Sequence, residues 1–141
     1  MEIPRQVRDA MVAHARFCAP EEACGLLAVD EDGRIRMVYC LTNAEHSPVA
    51  YTLDPREHIK ALRHAEMMGW RLGGVFHSHT HTEAYPSRTD VARALEPEWL
   101  YALVSLEDGN DPDVRGFWIE EGNITEESLV VVDGEIKEPT R

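Results

Sequence analysis

The stretch that decides the fold reads GVFHSHTHTEAYPSRTD and covers residues 74–90. Its apolar start is typical of a buried strand, and three histidines follow within five residues, His77, His79 and His81. Residues two apart on an extended chain project to the same side of it. These imidazoles can therefore converge on one ion, each through a neutral ring nitrogen. Core packing does not explain three imidazoles at a strand end, so the sequence predicts a metal site here.

Asp90, eleven residues beyond His79, is the candidate third ligand. A catalytic zinc takes three protein ligands and keeps a fourth position for water. The same segment also has a purely structural interpretation, because Ser87-Arg88-Thr89-Asp90 matches the capping box that opens a helix. The two interpretations are compatible, since an aspartate in the first helical turn projects toward whatever faces the start of the helix.

Outward from this stretch, apolar spacing and turn residues predict the other elements. Pro55 and Gly69 bound one helix, Pro97 stops another, and Glu31-Asp32-Gly33 turns a hairpin. The predicted helices cover 4–18, 55–69 and 87–96, the predicted strands cover 25–29, 35–41, 72–77, 99–106, 114–119 and 124–132, and 42–50 is a loop. This mixture indicates an α/β or α+β fold, with helices packed around one mixed or antiparallel sheet.

Composition excludes two classes of partner. The 141 residues are about one domain, and they hold 14 Lys+Arg against 26 Asp+Glu, a net charge of −12. A charge of this sign speaks against nucleic acid and against anionic membranes. Residues 107–141 hold 11 acidic and 3 basic side chains, so most of the excess lies there. We expect a solvated surface in this region; an acidic docking face is the alternative.

Three cysteines, Cys18, Cys24 and Cys40, cannot pair completely and have no Cys-x-x-Cys spacing. We expect all three to be free, buried thiols. Residues 1–18 contain charged side chains throughout and do not resemble a signal peptide. The longest aliphatic stretches, such as residues 129–132, are too short to span a bilayer. These features predict a cytoplasmic protein.

A site that activates water also needs a general base that is not a ligand. The chain has no His-Glu-x-x-His, which excludes a zincin helix. Glu22 lies just before the strand that begins at Cys24-Gly25. Its position alone predicts only an exposed surface carboxylate.

Taken together, these residues resemble the signature of the JAMM (MPN+) zinc metalloprotease family. That signature is a Glu before Cys-Gly, then His-x-His, seven residues, Ser, two residues and Asp. Here it is filled by Glu22-Ala23-Cys24-Gly25 and by His77-Ser78-His79 with Ser87 and Asp90. The two parts lie more than fifty residues apart, so chance agreement is a poor explanation. The resemblance covers nearly the whole chain.

The resemblance implies a fold and a set of roles. It implies one JAMM/MPN-type domain over 1–141, with a curved mixed β-sheet flanked by about three helices. It implies one zinc ion per chain, bound by His77, His79 and Asp90, with water in the fourth position. Glu22 would accept the proton of the water and pass it to the leaving amine. Ser87 would donate a hydrogen bond to the oxyanion of the tetrahedral intermediate.

A finer resemblance concerns the substrate. The segments 11–16, 20–25, 43–45, 47–48 and 82–90 resemble an actinobacterial branch of the family, the sulfur-carrier-protein–cysteine hydrolases. Such enzymes release L-cysteine from the C-terminal Gly-Gly of a small ubiquitin-like carrier, in cysteine biosynthesis. A tail without side chains can thread a narrow groove. We expect residues 43–52 and 82–85 to line it, with Asn43, Thr80 and Tyr85 as substrate contacts. Ordinary packing beside Pro86 is the alternative for Tyr85.

The chain departs from the family pattern at one point. Many members have Pro after the second signature His, whereas this chain has Thr80 and then His81. We expect His81 to be solvated; a ligand pair His79/His81 and a contact to substrate are the alternatives. Two other functions stay open, the same chemistry on another ubiquitin-like conjugate or carrier precursor, and a metal-free MPN scaffold. Scaffold versions have typically lost ligands, and none is lost here.

Overall fold

The fold is a six-stranded mixed sheet with three helices, described for residues 1–133 in a computed structural model. The elements in chain order are β1 (Glu2–Pro4), α1 (Arg5–Cys18), β2 (Cys24–Val29), β3 (Ile35–Leu41), α2 (Pro55–Met67), β4 (Arg71–His79), α3 (Arg88–Arg93), β5 (Leu100–Ser105), β6 (Asp113–Glu120), β7 (Asn123–Glu127) and β8 (Val130–Val132). The predicted bound at residue 141 lies outside the described residues, so the single domain over 1–141 stays a prediction.

The strand order of the large sheet is β3-β2-β4-β5-β6-β7. Its neighbours are antiparallel except β4 and β5, which run parallel. A parallel pair needs a long crossover connection, and here that connection carries α3. β1 and β8 pair separately as a short parallel ribbon. The crossover therefore leaves the edge of the sheet where β4 ends, carries α3, and takes the chain to the opposite edge, where β5 begins.

The helices cover both faces of the sheet. One apolar cluster contains Ala61 and Ala65 of α2 with Val75 of β4, and the other contains Met11 of α1 with Phe76 of β4. Because neighbouring residues of a strand point to opposite faces, α2 and α1 pack on opposite sides. The face of β4 that carries Val75 is the one that continues to residues 77 and 79.

Two glycines explain local features of this scaffold. At Gly25 a Cβ atom would collide with the carbonyl oxygen of Tyr39 and the ring of Phe76, so β2 can pack between its neighbours only with glycine there. Gly69 has a φ of +78°, a left-handed conformation that suits glycine. It follows the last residues of α2 and turns the chain into β4.

The predicted fold class is confirmed, a mixed sheet with three helices, and two boundaries are corrected. The third helix, predicted over 87–96, ends at Arg93. Pro97 disfavours a helical conformation of Glu96 before it, and the chain has already left the helix at Ala94, whose ψ is 96°. The strand predicted over 124–132 is divided into β7 and β8, which belong to different sheets. β1 was not predicted, because three residues are too few for a periodic pattern.

The cysteines are free, as expected, but they are not all buried. Cys24 is buried, Cys18 is half-buried and Cys40 is exposed. Cys40 belongs to β3, the edge strand of the sheet, which explains its exposure. Burial raises the pKa of the Cys24 thiol to about 12. Among the described residues no helix is both long and apolar enough to cross a membrane.

Candidate functional site

The end of β4 presents two histidines to the α2 side of the sheet. His77 and His79 follow Val75 at intervals of two, so all three side chains point to that face. His77 is 2% exposed and His79 is 6% exposed. The ring of Tyr51 stacks on His77, with ring centroids 4.7 Å apart and an interplanar angle of 24°. Both imidazoles are therefore held in fixed positions by packing.

Asp90 joins them from the first turn of α3. The carboxylate accepts a hydrogen bond from the backbone N–H of Ser87 (2.8 Å), and the Ser87 hydroxyl accepts one from the Asp90 N–H (3.1 Å), which completes the capping box. The same carboxylate lies 3.1 Å from His77 Nε2 through Oδ1 and 3.1 Å from His79 Nε2 through Oδ2. The position of Asp90 thus agrees with both interpretations, as a member of the capping box and as part of a metal site.

These three side chains could hold a metal ion. One ligand atom from each lies within 4.8 Å of the other two. Two ligand atoms bound tetrahedrally at zinc distances lie roughly 3.3 Å apart, close to the two separations of 3.1 Å. His79 Nδ1 lies 2.9 Å from the carbonyl oxygen of Glu83. A carbonyl only accepts, so Nδ1 carries the proton and Nε2 is left as a lone-pair donor.

Glu22 is brought to the site by a clamp between β2 and β4. The N–H of Ala23 donates to Ser78 Oγ at 2.8 Å, and the N–H of Ser78 donates to the carbonyl of Ala23 at 3.1 Å. Cys24 pairs with His77 in the sheet register. Glu22 is only 4% exposed, so the expectation from its position alone, an exposed surface carboxylate, is wrong. The buried position agrees with the family resemblance.

The pKa values of the buried site residues are shifted in different directions. Burial raises the pKa of Glu22 to about 7, and His79 partly opposes this rise. Burial lowers the pKa of His77 below its ordinary value. Burial alone would raise the pKa of Asp90, but the His77 and His79 rings, each 3.1 Å from its carboxylate, outweigh burial and lower that pKa. Burial would likewise lower the pKa of His79, and its bond with Asp90 raises it instead.

Unpaired buried polar atoms mark the same place. Within residues 1–133, the buried side-chain atoms without a hydrogen-bond partner are Glu22 Oε1 and the two ring nitrogens of His77. Most buried polar groups in proteins have partners, so each exception needs an explanation. A cation with a bound water accounts for two of these three atoms, because the cation would take the lone pair of His77 Nε2 and its water would hydrogen-bond Glu22 Oε1. The donor set and these atoms therefore fit a metal ion.

A cleft of about 220 Å³ opens beside these groups. Its lining combines candidate catalytic side chains with two loops, Glu22, Pro48, Val49, His79, Thr80, His81, Thr82 and Ser87. In the capping box the Ser87 hydroxyl acts as an acceptor, so its hydrogen is not used by that bond. The arrangement can present a buried carboxyl, a hydroxyl donor and a metal site to one small substrate group.

Of the three predicted substrate contacts, Asn43, Thr80 and Tyr85, only Thr80 lines the cleft. The amide of Asn43 is buried behind it, donating to the carbonyls of Glu22 (3.0 Å) and Ala50 (2.9 Å) and accepting from the N–H groups of Glu45 and Thr52. Asn43 thus holds the loop instead of facing the cleft.

Tyr85 lies away from the cleft, whereas His81 lies at it. Tyr85 does not line the cleft; it packs edge-on against Phe117, with ring centroids 5.4 Å apart, beneath Arg115. This contact is with Phe117 and leaves Tyr85 43% exposed, so its predicted contact to substrate stays a prediction. His81 is exposed at the cleft and lies outside the group formed by His77, His79 and Asp90. The described residues therefore bring His77, His79 and Asp90 together without His81, which favours His77/His79 as the predicted ligand pair.

Sequence reasoning missed two residues of the site. Ser78 lies between the two histidines on the opposite face of β4, as strand alternation requires, and its Oγ accepts the hydrogen bond from the Ala23 N–H that holds Glu22 in place. Tyr51 lies within the predicted groove segment 43–52, but its stacking on His77 was not predicted. An aromatic residue in a short loop opposite a histidine pair was the available signal.

Comparison with known proteins places the chain in a family. Residues 4–120 match the profile of the prokaryotic homologs of the JAB domain. The CysO-cysteine peptidase of Mycobacterium tuberculosis is 47% identical over 126 residues, 89% of this chain and 86% of that protein. The probable TtuB-protein conjugate cleaving protease of Thermus thermophilus is 35% identical over 131 residues, 92% of this chain and 82% of that protein.

A solved structure has the same fold. Protein DSY2949 from Desulfitobacterium hafniense has a TM-score of 0.90 and 34% sequence identity, and the match covers 100% of both chains. The resemblance to the JAMM (MPN+) family is thereby confirmed. The chain belongs to the JAB (JAMM/MPN) family and is a hydrolase of its prokaryotic branch.

Proposed function

We propose that this protein is a zinc-dependent peptidase that cleaves the amide bond between a ubiquitin-like sulfur-carrier protein and cysteine, and so releases L-cysteine. The observation that carries the proposal is the convergence of His77, His79 and Asp90 beside the buried Glu22. The names of the relatives supply the substrate class, a CysO–cysteine bond in one and TtuB–protein conjugates in another. A cytoplasmic location stays a prediction from the cysteine pattern.

His77, His79 and Asp90 would hold the zinc ion. Two imidazole nitrogens and one carboxylate oxygen are a donor set typical of catalytic zinc, which keeps one position open. Zinc bound there would supply Lewis acidity, polarising the scissile carbonyl and making a bound water easier to deprotonate. Glu83, through its carbonyl, keeps His79 in the tautomer that can bind.

Glu22 would move the proton. Its pKa of about 7 allows the carboxylate to accept a proton from the attacking water near neutral pH and the acid to release it afterwards. The acceptor of that second transfer is the amine nitrogen of the leaving cysteine, which departs as a neutral amine. Burial, the cause of the raised pKa, also keeps bulk water from competing for the proton.

Ser87 would stabilise the oxyanion. The acceptor role of its hydroxyl toward the Asp90 N–H leaves its hydrogen to donate to the carbonyl oxygen as negative charge develops. Because the capping box fixes this hydroxyl at the start of α3, the donor is oriented before substrate arrives.

The cleft suits a narrow tail. Its volume of about 220 Å³ lies below the range of roughly 300–1,000 Å³ typical of ligand pockets. A Gly-Gly end followed by one cysteine has little side-chain bulk, so it can lie between the loop at Pro48-Val49 and the loop at Thr80–Thr82. Thr80 is the predicted substrate contact that remains in place for this role.

Two measurements test the proposal. Elemental analysis should give about one zinc per chain, and His79→Ala should lose it; a protein that stays metal-free with added zinc contradicts a zinc enzyme. Incubation with a CysO–cysteine adduct should lower the intact mass by one cysteine residue. Glu22→Gln should abolish this cleavage, whereas the neighbouring Glu21→Gln, which changes a half-exposed carboxylate, should retain it.

Another ubiquitin-like conjugate is the second candidate substrate, favoured by the similarity to the Thermus protein. An enzyme that leaves the cysteine adduct intact and cleaves a TtuB–protein conjugate would replace the substrate and retain the chemistry. The scaffold alternative has no observation in its favour, because the complete donor set is present.

A further inference from the structure

Helix α2 has an exposed face that combines cations with apolar side chains. Its buried side is formed by Ala61 and Ala65. At 3.6 residues per turn, Arg56, Lys60, Arg63 and Met67 fall on one stripe roughly 60° wide, opposite that buried side. Met67 is 76% exposed. On one flank of this stripe, Ile59 and Leu62 are exposed as well, roughly 40° and 100° beyond its edge. We call these six residues the α2 face.

The cations of the α2 face have no ion-pair partners within residues 1–133. Most other arginines of the described chain do, and the paired ones are Arg5, Arg8, Arg34, Arg36, Arg93 and Arg115. The six residues of the α2 face include three Lys+Arg and no Asp or Glu, whereas residues 1–133 as a whole contain twelve Lys+Arg and twenty-four Asp+Glu. The α2 face is thus a positive area on a strongly negative protein. An anionic partner surface would be attracted there and repelled elsewhere.

The first turn of α2, where the α2 face begins at Arg56, lies beside the segment that lines the candidate active site. The first turn of α2 is tied to the end of β3, where the Thr42 N–H donates to the Glu57 carboxylate at 2.6 Å. The segment 43–53 between these two elements supplies Pro48 and Val49 to the cleft wall. In the sheet register Leu41 and His77 both pair with Cys24, so they are two strand spacings apart, roughly 10 Å. An extended tail of about three or four residues covers that distance.

A groove beside the face adds a recess that is only partly apolar, because Glu57 lines it as well. It measures about 480 Å³ between β3 and α2, and its lining includes Tyr39, Leu41, Lys60 and His64. Its outer wall is β3, the edge strand of the sheet. Face and groove together offer both charge and apolar contact to one folded partner.

We propose that the α2 face docks the folded body of the carrier protein, through an acidic and partly apolar surface of the carrier, while the Gly-Gly tail enters the cleft. This inference rests on the proposed function, because it takes the carrier from there. It divides recognition into two parts. The cleft binds the tail, and α2 selects the protein to which the tail belongs.

The test compares a protein substrate with a peptide. The substrates are the CysO–cysteine adduct and acetyl-Gly-Gly-Cys, and the variant is Lys60→Glu/Arg63→Glu. At low ionic strength the variant should raise KM for the adduct about tenfold or more and leave its kcat within about twofold. The peptide never reaches α2, so its kcat/KM should stay within about twofold. Added salt should raise the wild-type KM for the adduct.

The matched control is Arg34→Glu/Arg71→Glu, the same change of charge at the opposite end of the sheet, where Ile35 and Arg71 both pair with Val29. It should leave both substrates within about twofold. Equal effects of the two double variants, or a parallel loss on the peptide, would overturn docking at α2. So would a wild-type dimer that only the α2 variant dissociates in light scattering, since a second copy would then cover the face.

Failure of the proposed function has a different signature. A wild-type enzyme that cleaves neither substrate contradicts the cysteine-releasing activity. One that cleaves the peptide and leaves the adduct intact retains the chemistry and overturns the docking inference.

Discussion

Replacing Glu22 by glutamine should abolish cleavage and at the same time stabilise the metal-free protein above neutral pH. The folded protein raises the pKa of Glu22 from 4.5 to about 7, mainly by burial. Between these two values the folded state binds more protons than the unfolded state. The free energy of unfolding therefore falls as pH rises through this window. Glutamine resembles the protonated acid in shape and cannot ionise, so the variant escapes this loss.

The size of the effect follows from the shift. One pKa unit corresponds to about 1.4 kcal/mol, so a rise from 4.5 to about 7 costs the wild type roughly 3 kcal/mol once Glu22 is fully ionised. Since the side chain is only 4% exposed, solvent screening reduces this figure little. The advantage of Glu22→Gln should be under about 1 kcal/mol at pH 5 and approach 3 kcal/mol at pH 8.

Urea unfolding of the metal-free wild type and variant, from pH 5 to pH 8.5, measures this difference directly. Glu31→Gln, in the exposed turn between β2 and β3, gives the baseline for removing a surface carboxylate. Saturating zinc should shrink the difference, because a cation beside Glu22 favours its ionised form. A stability difference that does not change with pH would refute the argument that burial sets the charge state of Glu22.

Three further predictions address the neighbouring residues. Ser87→Ala should lower kcat by about 10²–10³-fold in a steady-state assay if the Ser87 hydroxyl stabilises the oxyanion. Ser87→Thr retains the hydroxyl and should keep most of the activity. Equal losses in the two variants would exclude this role. Asn43→Ala should reduce the free energy of unfolding, measured by urea unfolding, by about 2–4 kcal/mol, because several buried hydrogen bonds of the loop lose their partner. A loss as small as that of an exposed residue would contradict the role of Asn43 in holding the loop. Charge reversal at Glu120 and Glu126 should leave turnover of the carrier adduct within about twofold at physiological salt, and a tenfold loss would show that the acidic C-terminal quarter contacts the carrier.

The strands and helices could be predicted where the sequence pattern is local. The hairpin of β2 and β3 is bounded by Glu31-Asp32-Gly33, and α2 by Pro55 and Gly69, so both were predicted nearly residue by residue. The separation of β7 from β8 was not predicted. It depends on the pairing of Val130–Val132 with Glu2–Pro4, residues almost a whole chain length apart. Local periodicity contains no information on such a pairing.

The candidate site, like the fold, could be predicted only where the sequence pattern is local. Alternation along β4 was sufficient to place His77 and His79 on one side of the chain, and the spacing of the capping box was sufficient to place Asp90 at a helix start. The burial of Glu22 depends on the clamp between Ala23 and Ser78, which joins residues 55 positions apart. Local reasoning therefore gave an exposed carboxylate, and only the resemblance to a family signature indicated its role. Asn43 belongs to the predicted groove segment, but its hydrogen bonds turn it inward.

The shared carboxylate of Asp90 couples ion binding to the folding of α3. A helix of six residues is too short to be stable by itself, and its capping carboxylate is also the group nearest to both histidines. By thermodynamic reciprocity, whatever stabilises α3 must tighten metal binding, and an ion held by Asp90 must stabilise α3 by the same free energy. A substitution on the exposed side of α3, at Ala92 for example, can therefore adjust metal retention without changing a ligand.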